Sequence, residues 1–299
     1  MKHLLKCAGW CIVIITCLAS GFNANAQDSI NSVILAPGAN PSTVKLWQRQ
    51  QDETGVYGKT WIGPYVNDAK TTSGKRDSIL FIPSQYDKDK PTDVIVWLHG
   101  NHGFNKFGTR VLPHIAELYQ RGENPILIAI EQPWTHNGST PTSRSGTGPF
   151  RKSGEFEDWA TEALPMLGFL GVPFRTLSGQ RVTFYGHSAG GSGILSMSRS
   201  GALGIIEPKR IVFSDSTYGS WFKGFYDSFY KDHPKTEVIV LARKGGPTHK
   251  SMEQFFHDRP AALKLHTLKY IVLNRKQWSH KRIGDNCLLW PAAPFLQQK

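Results

Sequence analysis

The stretch Val182-Thr183-Phe184-Tyr185-Gly186-His187-Ser188-Ala189-Gly190-Gly191 decides how this chain folds. A β-branched and aromatic run passes into small residues, which predicts a strand, a sharp turn and then a helix. Glycines two positions before and after Ser188 leave room where the strand and the helix pass closely, so the turn can lift the serine hydroxyl above the sheet. A surface serine in a glycine-rich turn is the alternative.

Short apolar runs alternate with helical stretches from residue 78 onward, and this alternation predicts a parallel sheet with crossover helices. Several runs are apolar almost throughout, as is typical of strands covered on both faces. Helices are predicted at about residues 108–121, 155–170, 189–200 and 249–257. The predicted strands are Ser78–Pro83, Asp93–Leu98, Pro125–Ile130, Arg181–Tyr185, Arg210–Ser214, Glu237–Ala242 and Leu268–Leu273.

The N-terminus has the pattern of a secretory signal. Lys2 and Lys6 precede an apolar run, and small residues before Gln27 fit a cleavage site, so residues 1–26 are predicted to be a signal peptide. An uncleaved membrane anchor is the alternative. Beyond this segment no apolar run is long enough to span a bilayer, so no stable membrane span is expected after cleavage. Residues 27–75 are predicted to be an extension that packs on a domain of residues 76–299.

Composition limits the class of protein. The 299 residues are 39% hydrophobic and 19% charged, a globular balance that excludes disordered and collagen-like chains. The net charge of +12 favours anionic partners such as envelope polymers, while scattered basic residues without a recognised motif argue against specific nucleic-acid binding. Cys287 is the one cysteine outside the signal, and its apolar context predicts a buried thiol. An exported chain without a disulfide indicates a bacterial periplasmic or secreted protein.

The order of strands and the Gly186-His187-Ser188-Ala189-Gly190-Gly191 elbow resemble the α/β-hydrolase superfamily over roughly residues 78–285. The resemblance implies the α/β-hydrolase fold, a mostly parallel central sheet with helices on both faces. It also implies an exported, esterase-like serine hydrolase with Ser188 as the nucleophile and no metal or organic cofactor. These motifs are specific for the superfamily and say little about the substrate.

The segment His99-Gly100-Asn101-His102-Gly103 follows a predicted strand and resembles the His-Gly oxyanion turn of that superfamily. The resemblance implies two backbone donors for a developing alkoxide, the N–H groups of Ala189 and Asn101. His99 and His102 are also spaced as a pair of metal ligands. Because they lie on a turn with no third ligand nearby, a metal site is disfavoured.

A serine nucleophile needs a base, and the superfamily order places it after the acid. His280 follows the last predicted strand and is in the expected place. His249, after the preceding strand, is the chief rival, and His187 is expected to point away from the site and pack.

The acid residue is harder to identify. The commonest location, after the strand at Glu237–Ala242, holds no carboxylate. One strand earlier the chain reaches Asp215, which is therefore predicted to orient the base. A helix-capping role is the alternative for Asp215, and Asp285 and Asp258 are the fallback acids.

Aromatic residues on loops at the same sheet edge are predicted to line a substrate groove, although packing against the core is an equal alternative. Residues 134–154 form a polar, proline-containing stretch that is predicted to be a lid or substrate loop. Glu131, just before it, is either a site group or an ion-paired edge residue. The predicted groove residues are Trp134, Tyr218, Trp221 and Trp278.

Hydrolysis of a carboxylic ester through an acyl-enzyme is the first functional hypothesis, because an ester needs the least additional machinery. An amidase or peptidase of the same mechanism is the alternative. A second class is a non-catalytic envelope-binding protein on a hydrolase scaffold, which would need none of the three proposed catalytic side chains. A binder driven by charge alone would lose affinity steeply with salt, whereas ester turnover would not.

Overall fold

The structure, a computed structural model, describes residues 50–52, 55–61, 77–100, 111, 114–130, 134–137, 140–143, 153 and 181–289. The predicted signal peptide, Asn101, His102, Glu131 and the predicted helix at 155–170 lie outside the described residues. The strands are β1 Gln50–Asp52, β2 Gly55–Trp61, β3 Asp77–Pro83, β4 Asp93–Leu98, β5 Pro125–Ile130, β6 Trp134–Asn137, β7 Thr140–Ser143, β8 Val182–His187, β9 Arg210–Ser214, β10 Glu237–Arg243 and β11 Leu268–Leu273.

Nine of these strands form one sheet in the order β1-β2-β3-β5-β4-β8-β9-β10-β11. The first strands pair antiparallel, and every pair from β5 through β4 to β11 is parallel. In this order β4 lies between β5 and β8. The turns that follow the parallel strands β4 and β8 therefore meet at one edge of the sheet. The predicted fold class, a mostly parallel α/β sheet, is confirmed.

The described helices connect and cover the sheet. They are α1 Ile115–Gln120, α2 Gly190–Arg199, α3 Ala202–Ile206, α4 Trp221–Ser228, α5 Pro247–Asp258 and α6 His280–Asp285. None of these helices is long and apolar enough to cross a bilayer, the longest having 12 residues.

Alternation along the strands divides the core into two layers, one on each face of the sheet. Val96, Phe184 and Phe213 pack on one face with apolar residues of α2 to α5. Trp97, Tyr185 and Val212, their neighbours in sequence, pack on the other face with residues of α1 and α6. Each central strand is therefore buried on both sides, which is why these strands read as continuous apolar runs.

Cys287 is fully buried in the second of these layers, as its apolar context predicts.

Two local features differ from the sequence-based expectations. Residues 134–143, within the predicted loop, contain the β6–β7 hairpin, in which Asn137 pairs with Thr140. The Gly138-Ser139 dipeptide between these two paired residues, a two-residue hairpin signal, was available in the sequence. The helices α3, α4 and α6 were not predicted, because at 5 to 8 residues they are too short to show a clear helical period.

Candidate active site

The turn after β8 holds Ser188 in a strained backbone conformation. Its φ of 54° lies in the left-handed region, which is uncommon for residues other than glycine. A Cβ at Gly191 would collide with the carbonyl oxygen of Ser216, and a Cβ at Gly190 would collide with that of Leu98. The two glycines therefore let α2 begin directly against β4 and against the chain that follows β9, with Ser188 at the point where they meet.

Asp215 and His280 form the central polar contact of this edge. The Nδ1–H of His280 donates to Oδ2 of Asp215 at 2.7 Å, and the Asp215 side chain is only 3% exposed. Asp215 follows β9 and His280 begins α6 after β11, so both lie at the carboxyl ends of parallel strands. Asp215 also has a left-handed backbone, with φ of 48°. Strain of this kind is concentrated at functional sites.

The second oxygen of Asp215 has its own donors. The hydroxyl of Thr248 donates to Oδ1, and the backbone N–H of Arg243 donates to the same oxygen at 3.4 Å. Burial by itself would raise the pKa of Asp215, but the hydrogen bonds from His280 and Thr248 hold that pKa below the ordinary value. The carboxylate is therefore ionised and fixed in the pH range where a histidine titrates.

His187 links His280 to the serine elbow. Its Nε2–H donates to the carbonyl oxygen of His280 at 3.1 Å, and the two imidazole rings lie 4.5 Å apart. The ring rests on Gly284 of α6, where an added Cβ would come within 2.5 Å of it. His187 is 3% exposed and packs, as the sequence analysis expected, and it also positions the backbone of His280.

The backbone and the side chain of Ser188 have different neighbours. Its backbone N–H donates to the carbonyl oxygen of Ser214 at 3.3 Å, directly before Asp215. Its side chain lies beside the hydroxyl of Tyr218, whose ring centroid lies 6.5 Å from that of His280. Burial and then the Asp215 carboxylate raise the pKa of Tyr218, so the phenol stays protonated. The structure thus brings Ser188, Asp215, His280 and Tyr218 into one cluster.

The predicted oxyanion donors are located in part. Ala189 is buried at the N-terminus of α2, beside the nucleophile, where a helix favours negative charge. Gly100 ends the described part of the turn after β4, and a Cβ there would be 3.0 Å from Cβ of Ser188. Asn101 is the next residue and lies outside the described residues. The roles of both donors stay predictions.

The predicted groove aromatics occupy different environments. Tyr218 and Trp221 are partly exposed, and their rings pack edge to face with centroids 5.4 Å apart. Trp278 is 3% exposed and packs in the second core layer, with the Arg282 guanidinium 4.8 Å from its ring centroid. This position corresponds to the packing alternative for Trp278, rather than to a groove. The backbone of Trp134 lies in β6, and its side chain is outside the description.

The side chains of the alternative base and of the two fallback acids have other partners. His249 faces Glu253 on α5, with 3.1 Å between Nδ1 and Oε2. Asp285 is paired with Lys281 on α6. Asp258 contacts His257 at the end of α5, where both are exposed. None of these contacts includes Ser188. Within the described residues, no group of three histidine, cysteine or carboxylate side chains is placed to hold a metal ion.

Thr248, His187 and Arg243 are the contributors that the sequence analysis did not assign to the site. The turn Gly245-Gly246-Pro247 after β10 offered a signal for Thr248, because it predicts a helix that begins at the same edge of the sheet. His187 offered no comparable signal, since its partner is a backbone carbonyl of a residue far along the chain.

The sheet order together with the strained serine elbow between β8 and α2 gives this chain the α/β-hydrolase fold. No family model and no curated protein matches the sequence.

Solved structures similar to this chain include a serine-to-alanine mutant of the feruloyl esterase module from Clostridium thermocellum complexed with sinapinate. That structure has 13% identity and a TM-score of 0.48, over 90% of this chain and 92% of that one. The enterobactin and salmochelin hydrolase IroE has 11% identity and a TM-score of 0.45, over 80% and 93%. The BES protein from Bacillus cereus has 14% identity and a TM-score of 0.45, over 86% and 98%.

Proposed function

We propose that this protein is a serine hydrolase that cleaves a carboxylic ester through a Ser188–His280–Asp215 triad. The observation that carries the proposal is the buried Asp215–His280 hydrogen bond beside the strained Ser188 elbow. An ordinary surface serine needs neither a left-handed backbone nor a buried carboxylate paired with a histidine. A non-catalytic binding surface has no use for this pair.

In the first half of the reaction, Oγ of Ser188 attacks the ester carbonyl carbon while Nε2 of His280 takes the hydroxyl proton. Asp215 keeps the other proton on Nδ1, so Nε2 is free to act as the base. The carbonyl oxygen becomes an alkoxide, which the N–H groups of Ala189 and Asn101 stabilise. His280 then gives its proton to the leaving alcohol as the carbon–oxygen bond breaks.

In the second half, water attacks the acyl-enzyme and gives one proton to His280. The new alkoxide collapses, the bond to Ser188 breaks, and His280 returns the proton to Oγ. The Asp215 carboxylate remains ionised in both halves, because its hydrogen bonds to His280 and Thr248 outweigh the effect of burial on its pKa. Both half-reactions therefore use the same base in the same orientation.

A fluorophosphonate probe tests the proposal directly, because it reacts with activated serines. We expect stoichiometric labelling of the purified protein, with the adduct mapped to Ser188 by peptide mass and absent from Ser188→Ala. The matched control is Ser251→Ala on α5, whose hydroxyl donates to the Pro247 carbonyl, and it should label normally. A folded sample that is not labelled would favour the envelope-binding alternative, and an adduct on another serine would mean that the site is misplaced.

The hydroxyl of Tyr218 is expected to assist the reaction at Ser188. In Tyr218→Phe we expect kcat to fall about 2- to 10-fold with little change in KM, the effect of one ordinary hydrogen bond. Steady-state kinetics with a 4-nitrophenyl ester measures both constants. Tyr226→Phe, which removes the hydroxyl of a ring that packs against Tyr230 and Phe255, is the control and should match the wild type. An unchanged kcat in Tyr218→Phe would limit Tyr218 to packing.

We also propose that the protein is exported to the periplasm or secreted. The basic start, the apolar run and the small residues before Gln27 support this part of the proposal. The high net positive charge of the chain is suited to an anionic cell-envelope or polysaccharide substrate.

A further inference from the structure

Four basic residues lie at the edge of the sheet that carries the proposed triad. Arg243 ends β10 and Lys244 follows it, and Arg275 and Lys276 follow β11. The two loops are adjacent, since Arg243 pairs with Leu273 and the N–H of Lys244 donates to the Leu273 carbonyl at 2.9 Å. In the described part of the chain, none of these four cations is in an ion pair.

The nearby carboxylates already have hydrogen-bond or ion-pair partners. Asp215 is buried and bound by His280, Thr248 and the Arg243 backbone, and Asp285 is paired with Lys281. By contrast, the basic residues at the opposite edge include Arg210 and Lys269, which both pair with Glu237. The edge that carries the triad therefore has an excess of positive charge that its described carboxylates leave unbalanced.

Among these four cations, Arg243 is the one whose backbone contacts the acid of the proposed triad. Its backbone binds Asp215, and its Nε lies near Gly246, where an added Cβ would be 3.6 Å away. Nε is shielded from solvent and has no hydrogen-bond partner among the described residues, although the side chain as a whole is partly exposed. The backbone of Arg243 is therefore fixed beside Asp215, while its guanidinium has no carboxylate partner among the described residues.

We propose that Arg243 forms a subsite for a carboxylate on the substrate, so that this hydrolase favours esters carrying a negative charge near the scissile bond. The inference rests on the proposed function and names the substrate class for it. A guanidinium is suited to this role, because its planar donors match the two oxygens of a carboxylate. Lys244, Arg275 and Lys276 would raise the local concentration of such anions without contacting them.

Paired substrates test the subsite from both sides of the ester. On the leaving-group side the pair is 4-acetoxybenzoate and its neutral analogue 4-acetoxybenzamide. On the acyl side the pair is mono-4-nitrophenyl terephthalate and 4-nitrophenyl 4-carbamoylbenzoate, whose rigid rings prevent the carboxylate from attacking its own ester. The measured quantity is the ratio of kcat/KM for the anionic and neutral members. This ratio cancels any general damage that a substitution does to the triad.

We expect at least one pair to show a ratio of about ten in the wild type, falling to about one in Arg243→Gln and staying intermediate in Arg243→Lys. Lys235→Gln removes the same charge at the other end of β10 and should leave the ratio unchanged. Added salt should lower the ratio in the wild type. Ratios near one in both pairs, or ratios that Arg243→Gln does not change, would overturn the inference.

A second measurement does not depend on ester turnover. The rate of Ser188 labelling is compared for a fluorophosphonate whose chain ends in a carboxylate and for its carboxamide analogue, and Arg243→Gln should remove the preference for the carboxylate. Equal rates in the wild type would overturn the subsite while leaving the triad in place. A protein that neither probe labels would instead refute the proposed function.

Discussion

Replacing His280 with glutamine is expected to lower kcat toward an ester by about 10⁴- to 10⁶-fold, because removing the base of a serine triad costs nearly as much as removing the whole triad. Glutamine can still donate a hydrogen bond to the buried Asp215 carboxylate, so that charge keeps a partner. It cannot accept and return the proton of Ser188. We therefore expect the loss in kcat, measured with a 4-nitrophenyl ester, to exceed any change in thermal stability.

The matched control for His280 is His249, the rival base. His249 lies on α5, where it faces Glu253 and its ring centroid is 6.4 Å from that of Tyr270. His249→Gln should retain wild-type kcat within about twofold, since the His249 side chain contacts Glu253 and not the triad. If His249→Gln lost the activity while His280→Gln kept it, the assignment of the base would be wrong. Thermal unfolding of both variants separates a catalytic loss from misfolding.

Much of the fold was predictable because its central strands have an unambiguous pattern. β4, β5, β9 and β11 begin and end at the predicted residues. Each is a short, mostly apolar run. In the sheet, β4 and β9 lie between two parallel neighbours, β5 lies between an antiparallel and a parallel neighbour, and β11 is at the edge beside a parallel one. The elbow was equally predictable from the sequence. The glycines at positions 186 and 190, on either side of Ser188, are required because other backbone segments approach them closely.

The site was predictable where it depends on chain order, and less so where it depends on side-chain direction. The ends of parallel strands meet at one edge, so Ser188, Asp215 and His280 could be assigned from the strands that precede them. Trp278 has the same kind of position, only two residues before His280, yet it turns into the core. No sequence period distinguishes these two directions in an irregular loop.

Contacts between distant residues were the part that sequence reasoning missed. Thr248 and His187 position the two ends of the Asp215–His280 pair, and each acts on a residue at least 33 positions away in the chain. A threonine at the first turn of a helix and a histidine beside a serine are both common in ordinary structures. Their roles follow only from the packing of α5 and α6 against the ends of β9 and β8.

Asp215→Asn is expected to lower kcat by about 10⁴-fold, as the loss of the orienting acid does in other serine triads. The surroundings of Asp215 explain why a neutral isostere fails. Its Oδ1 position receives the Thr248 hydroxyl and the Arg243 N–H, so the single amide oxygen of asparagine is best satisfied there. The amide NH₂ then faces Nδ1 of His280, which must accept. The proton moves to Nε2, where the imidazole can no longer take the proton of Ser188.

The measurement is kcat for Asp215→Asn beside Asp285→Asn, which changes the nearest fallback acid and should keep wild-type kcat. Acid unfolding gives a second readout. Because the folded-state pKa of Asp215 lies below its ordinary value, its charge stabilises the fold above the ordinary aspartate pKa, and that stabilisation is lost as the pH falls through the folded value. The free energy of unfolding of Asp215→Asn should therefore depend less on pH in this acid range. Full activity in Asp215→Asn would mean that His280 needs no orienting carboxylate, and loss of activity in Asp285→Asn would transfer the role of the acid to Asp285.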